Sequence, residues 1–229
     1  MCNLKSNKTV KEILVYKKII PKEINENIDI VLFPSAIYLS FFYDAPYKIG
    51  SQNISVYESG SITGEILANQ LKSLKVSYVL VNHFEMKETL ENTLKKIKNA
   101  TKQKIKVVLC IGEKEKQTMD ETLVEITKEI TKIFDNLTKK ERENLIIAYE
   151  PCWAISKQDI VDTKIINSIA KKLKKQMKEK YNVVLDVLYG GGITTKNIKD
   201  LENASYIDGY LLGNCANIPE NVCKILDIL

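Results

Sequence analysis

The chain has 229 residues, 45% of them hydrophobic, with a formal net charge of +5 and one histidine. That is enough apolar material for the core of a single α/β domain over residues 1–229, while no stretch approaches the roughly 18 apolar residues of a membrane span and nothing suggests export. The 34 basic residues include one arginine, Arg142, so the guanidinium forks and interleaved aromatics of a nucleic-acid surface are missing. Cys2, Cys110, Cys152, Cys215 and Cys223 are odd in number and form no C-x-x-C pair, which argues against a disulfide framework and a zinc site and fits a reducing cytoplasm.

Short β-branched runs alternate with amphipathic stretches along the chain. Strand-like runs are read at 29–33, 47–52, 77–82, 104–111, 145–149, 183–189 and 205–212. Helical periods lie between them; one sets Ile165, Ile169, Leu173 and Met177 at four-residue spacing, with Lys171, Lys172, Lys174 and Lys175 on a solvated flank. Seven strand–helix units are clear, and an eighth has only residues 1–4 available for its strand. The alternation predicts a parallel sheet, and about 28 residues per unit suits a (β/α)8 barrel with a short or truncated first strand. A doubly wound open sheet gives the same local pattern.

The apolar run 145–149 ends in Glu150, and Pro151 forces the chain out of the sheet just after it. A carboxylate therefore stands at a strand's carboxyl end, the rim where parallel α/β sheets bind ligands, beside the only tryptophan, Trp153. Gly112, Gly190, Gly191, Gly192 and Gly213 also follow strand-like runs, marking turns on one rim. Turns that bring backbone N–H groups together suit an anion, and those after the last two strands are where barrels commonly hold a phosphate. His83 directly follows the run 77–82, so imidazole and carboxylate share that rim, and these are the usual acid–base groups near neutrality. Asn3 and Lys5 leave the first strand toward the same rim, Lys5 with a charge suited to an anionic substrate.

Taken together, Asn3-Leu-Lys5, Gln52-Asn53, the segment 60–65 (GSITGE), Asn82-His-Phe-Glu85, Cys110-Ile-Gly-Glu113, the segment 148–155 (AYEPCWAI), Tyr189-Gly-Gly-Gly192 and the segment 208–213 (DGYLLG) resemble the triosephosphate isomerase family in order and spacing, across nearly the whole chain. The resemblance implies a (β/α)8 TIM barrel without metal or cofactor. It also implies interconversion of dihydroxyacetone phosphate and D-glyceraldehyde 3-phosphate through an enediolate, a cytoplasmic step of glycolysis and gluconeogenesis. By the same resemblance Glu150 matches the base, His83 the neutral imidazole that polarises the carbonyl, Lys5 the cation and Asn3 a hydrogen-bond donor to substrate. Backbone amides of Ser156, Gly192, Gly213 and Asn214 match the phosphate site. A lid from Pro151 to about Asp159 is implied, anchored by Trp153 and held by Glu113 and Tyr189, while Glu85 matches the partner of the active-site lysine. Thr63 matches the tip of a loop that enters a neighbour's site, which implies a homodimer.

The chain also departs from the family pattern. The lid tip reads Ser156-Lys157-Gln158 where glycine-threonine-glycine is usual, Gly192 replaces a serine, Asn214 a glycine and Phe84 a serine. Losing the serine hydroxyl removes a hydrogen bond to charge worth about 1.5 to 3 kcal/mol, roughly tenfold or more in affinity. Two alternatives stay open on these grounds and on the short first strand. One is an isomerase of another small ketose phosphate such as a tetrulose phosphate; the other is a catalytically weak phosphate-binding barrel.

Overall fold

Eight parallel strands in sequential order form the sheet of the computed structural model, which describes residues 1–20, 28–86, 88–155 and 160–229. The strands are β1 Cys2–Asn3, β2 Val31–Phe33, β3 Lys48–Ser51, β4 Tyr78–Val81, β5 Lys106–Ile111, β6 Leu145–Tyr149, β7 Asp186–Tyr189 and β8 Gly209–Tyr210. The helices are α1 Val10–Ile19, α2 Ala68–Ser73, α3 Leu90–Lys102, α4 Met119–Phe134, α5 Lys139–Glu143, α6 Cys152–Ile155, α7 Thr163–Tyr181 and α8 Pro219–Leu226.

Closure decides between barrel and open sheet. Asn3 N donates to Leu212 O at 2.8 Å, Leu212 N to Met1 O at 2.8 Å, and the Met1 ammonium to Tyr210 O at 2.7 Å, so the first strand joins the last. On its other side Leu4 N donates to Phe33 O at 3.1 Å. β1 is two residues long, yet it is bonded on both edges and anchors the rim residues that follow it.

The core divides as a barrel requires. Val31, Phe33, Leu80, Val108, Cys110, Ile146, Ala148, Leu188 and Leu211 form a separate interior cluster, whereas the alternate residues of the same strands, such as Val107, Leu109, Ile147 and Tyr149, pack outward against the helices. Phe33 fills the interior so fully that a Cβ on Gly50 would lie 2.2 Å from its ring. Helix starts are written locally: Thr9 with Glu12 and Thr118 with Glu121 form reciprocal capping boxes at α1 and α4.

The observed elements correct two sequence expectations. In α7 the buried residues are Ile166, Ile169, Ala170, Leu173 and Met177, while Ile165 is 36% exposed. Four-residue steps overrun a 3.6-residue turn, so a stripe traced back from Met177 at constant spacing drifts off the buried face by its third step. The run 205–212 yields a strand only at Gly209–Tyr210. Asp208 explains the late start: its carboxylate accepts Val187 N at 2.6 Å and the Lys174 ammonium at 2.6 Å, and Tyr206 N turns to the Asn167 side chain at 2.8 Å.

Candidate active site

Glu150 leaves β6 with its N–H still donating to Ile111 O at 2.7 Å, so the ladder extends one residue past the strand and fixes where the side chain departs. The residue is 5% exposed, and its side-chain Oε2 meets no hydrogen-bond donor among the described residues. Burial raises its pKa to about 7, against the opposing pull of the Cys110 thiol and the Lys5 ammonium, while Glu85 pushes it further up. The other oxygen, Oε1, lies 3.7 Å from His83 Nε2.

His83 follows β4 and is also 5% exposed. The backbone N–H of Glu85 donates to its Nδ1 at 3.4 Å, which leaves the ring proton of a neutral imidazole on Nε2, facing Glu150. Burial lowers the His83 pKa below the ordinary 6.5, with Lys5 adding to the fall and Glu85 opposing it. Phe84 packs beside the imidazole with ring centroids 4.7 Å apart.

Lys5 sits at φ +48, directly after the Leu4 bond to β2. Its Nζ reaches Glu85 Oε1 at 2.6 Å, its N–H donates to Asn3 Oδ1 at 3.1 Å, and its carbonyl accepts from Ser35 Oγ and Gln52 Nε2, each at 2.8 Å. Gln52 also donates to Phe33 O at 2.8 Å, tying the Lys5 turn to the end of β2.

Asn3, Lys5, His83 and Glu150 converge on one cavity of about 260 Å³ at the carboxyl ends of the strands, whose far wall is formed by Gly192, Gly213 and Asn214. Gly190 lies where it does because a Cβ there would stand 2.8 Å from Glu150 Cγ. Gly192 has φ +57, and the turn it opens is braced by Asn197, whose side chain accepts Thr194 N at 2.7 Å and donates to Gly192 O at 3.1 Å.

A protein-family model described as triosephosphate isomerase matches residues 1–229. The chain belongs to the triosephosphate isomerase family. It is 31% identical to the triosephosphate isomerase of Alkaliphilus oremlandii, over 98% of this chain and 96% of the relative. The corresponding protein of Wigglesworthia glossinidia brevipalpis is 34% identical over 94% and 91%, and that of Mesomycoplasma hyopneumoniae 33% identical over 98% and 96%.

Around this cavity Glu113 gathers the end of β6 and the residues that follow it. Trp153 Nε1 donates to Glu113 Oε1 at 2.8 Å, Tyr149 Oη donates to the same oxygen at 3.1 Å, and Cys152 N donates to Glu113 O at 3.0 Å. Tyr189 Oη accepts Val161 N at 3.0 Å. Ser156, Lys157, Gln158 and Asp159, on which the phosphate contact and the altered lid tip fall, lie outside the described residues. Thr63 is exposed in a loop closed at its base by Ser55 N donating to Ile66 O at 2.9 Å.

Sequence reading missed three supports of this site: Gln52 under Lys5, Cys110 beside Glu150, and Asn82 ahead of His83. Gln52 and Asn82 lie in segments that carry the family resemblance, at strand ends on the catalytic rim. Cys110 has the alternation of β5 as its signal, which turns it into the barrel just below Glu150.

Proposed function

We propose that the chain interconverts dihydroxyacetone phosphate and D-glyceraldehyde 3-phosphate, with Glu150 as base and His83 as the neutral acid. The observation that carries this reading is the facing of His83 Nε2 and Glu150 Oε1 at 3.7 Å in a cavity that also holds Lys5. Glu150 takes the proton from the carbon beside the carbonyl; the C–H pair becomes the C=C bond of the enediolate, and the carbonyl oxygen takes up the charge. His83 Nε2–H gives its proton to that oxygen and takes back the proton of the adjacent hydroxyl, which becomes the new carbonyl, while Lys5 stabilises the charge and Glu150 returns the carbon-bound proton to the neighbouring carbon. Asn3 adds a hydrogen bond to the substrate, and the amides of Ser156, Gly192, Gly213 and Asn214 receive the phosphate.

Membership of the triosephosphate isomerase family supports a triose over a tetrulose, and the bonds that hold β1 on both edges remove the motive for reading a weakened barrel. A coupled assay of D-glyceraldehyde 3-phosphate against a tetrulose phosphate tests this. A kcat/KM at least about 10²-fold higher for the triose is expected; equal or reversed values would overturn the choice of substrate.

The acid limb supplies a second test. Because Glu150 must be ionised and its pKa is raised to about 7, kcat/KM should fall tenfold per pH unit below about 7 and level off above it. Burial lowers the His83 pKa from 6.5, so no second proton should enter until the pH is below that value. A profile flat down to pH 5 would remove Glu150 from the role.

The reading includes a cytoplasmic homodimer. Five free cysteines support the compartment, and among the described residues no helix is long and apolar enough to cross a membrane. The exposed loop carrying Thr63, with Tyr57 50% exposed on it and Phe84 and Met86 exposed beside the site, supports self-association. Sedimentation at micromolar concentration should give twice the chain mass, and Thr63→Arg should shift it to monomer with a loss of kcat. A monomeric parent with full activity would contradict the dimer.

A further inference from the structure

His83 is delivered by a residue in an uncommon conformation. Asn82, directly after β4, has φ +61, in the left-handed region that asparagine enters more easily than most residues other than glycine. Its carboxamide nitrogen uses both of its protons, donating to Cys110 O on β5 at 3.0 Å and to Glu129 Oε1 on α4 at 2.9 Å. Neither Asn82 nor Glu129 lines the catalytic cavity. Glu129 is a partly buried carboxylate well along α4, separated from Asn82 by 47 residues, and no ion pair holds it among the described residues. Burial raises its pKa and the Asn82 bond opposes that rise.

We propose that Asn82 and Glu129 are a positioning pair that locks the peptide entering His83 and so sets the distance and angle between His83 Nε2 and Glu150. The proposal rests on the reading of His83 as the acid. Three elements meet at the Asn82 side chain: β4 through its own backbone, β5 through Cys110 O, and α4 through Glu129. A left-handed residue that lost this anchor would be free to return to negative φ, and the peptide plane ahead of His83 would turn with it. The Nδ1 bond from Glu85 N lies two residues further on and could not by itself restore the ring's height above Glu150. A bond from a neutral amide to a carboxylate is stronger than one between neutral groups, which suits Glu129 to hold the amide across the β4–α4 gap.

His83 is the chain's only histidine, so its imidazole gives a single pair of ¹⁵N resonances in the intact protein. Four variants separate the cases: Asn82→Gly, which keeps access to positive φ but removes the carboxamide; Glu129→Leu, which removes the acceptor; Glu129→Gln, which keeps an acceptor oxygen; and the double variant Asn82→Gly/Glu129→Leu. Expected are a fall in kcat of about tenfold in Asn82→Gly and Glu129→Leu, with KM little changed and the His83 ¹⁵N signals shifted, below the roughly hundredfold that a 1 Å misplacement costs. Glu129→Gln should recover kcat to within about threefold, and the double variant should be no slower than the worse single one, because both residues act through the same peptide.

Unchanged kcat and unchanged His83 signals in Asn82→Gly and Glu129→Leu would overturn the proposal, whatever happens to Tm. A shift in Asn82→Gly without one in Glu129→Leu would overturn the role of Glu129. If the parent protein failed to turn over triose phosphates, the His83 signals would still respond to both substitutions under the proposal, so its failure and that of the isomerase reading are distinguishable.

Discussion

Glu150→Gln is expected to lower kcat by about 10⁴-fold, the upper end of what a positioned general base contributes, with little change in the affinity for inorganic phosphate or a phosphorylated inhibitor. The amide keeps the shape of the side chain, its neighbours Gly190 and Cys110, and the cavity wall, but it has no lone pair basic enough to take a carbon-bound proton. The same substitution should move stability the other way. A carboxylate whose pKa rises to about 7 on folding binds a proton in the folded chain that the unfolded chain has released between the ordinary 4.5 and 7. Its contribution is therefore most favourable below the ordinary value and is lost as the pH rises through about 7, a difference on the order of 3 kcal/mol across that window. Glu150→Gln removes this penalty, so its Tm should exceed the parent's at pH 8 and match it near pH 4. Loss of turnover with a gain in stability at high pH identifies a buried base held in readiness at a cost to the fold. Turnover near the parent's would rule out Glu150, and a Tm lower than the parent's at pH 8 would mean that the burial of Oε2 does not carry the raised pKa.

The residues that the sequence made visible are those whose chemistry and position coincide. Glu150 before Pro151, and His83 at the end of an apolar run, could be placed on one rim because a strand's direction fixes where its last residue points. The inside-outside alternation of β5 and β6 was not legible, because Lys106–Ile111 and Leu145–Tyr149 are apolar on both faces although every second residue enters the barrel interior. What else stayed hidden depends on pairs far apart in sequence. Asn82 with Glu129 and Gln52 with Lys5 each join residues 47 apart. Closure was also out of reach of periodicity, because the bonds from Asn3 and Met1 to the stretch around Leu212 link the two ends of the chain. Strand lengths were overread for a local reason: Val183 N bonds back to Met177 O at the end of α7, and the chain turns at 205–207, where Ile207 N donates to Ala204 O and Tyr206 N to the Asn167 side chain, so these backbone groups are not spent on a ladder.

The second large effect is expected at Gly112, where the geometry of the backbone rather than of a catalytic group is at stake. A Cβ there would stand 2.0 Å from the Glu150 carbonyl oxygen, 2.5 Å from its carbon and 3.1 Å from Pro151 N. None of these atoms can rotate aside, for Glu150 N is bonded to Ile111 O at 2.7 Å and Cys152 N to Glu113 O at 3.0 Å, so the two rim turns are stitched together on both sides of the contact. Gly112→Ala must push β5 and β6 apart where the catalytic carboxylate leaves the sheet. Overpacking of this kind costs about 1 to 3 kcal/mol, and a displacement near 1 Å at the reacting group costs about 10²-fold in kcat. Gly190→Ala is the informative comparison. Its Cβ would meet Glu150 Cγ at 2.8 Å and Oε1 at 3.1 Å, side-chain atoms that can turn away. It should therefore lose turnover with a smaller fall in Tm than Gly112→Ala. Equal Tm losses in the two variants, or an active Gly112→Ala, would show that the rim between β5 and β6 yields more readily than its hydrogen bonds suggest.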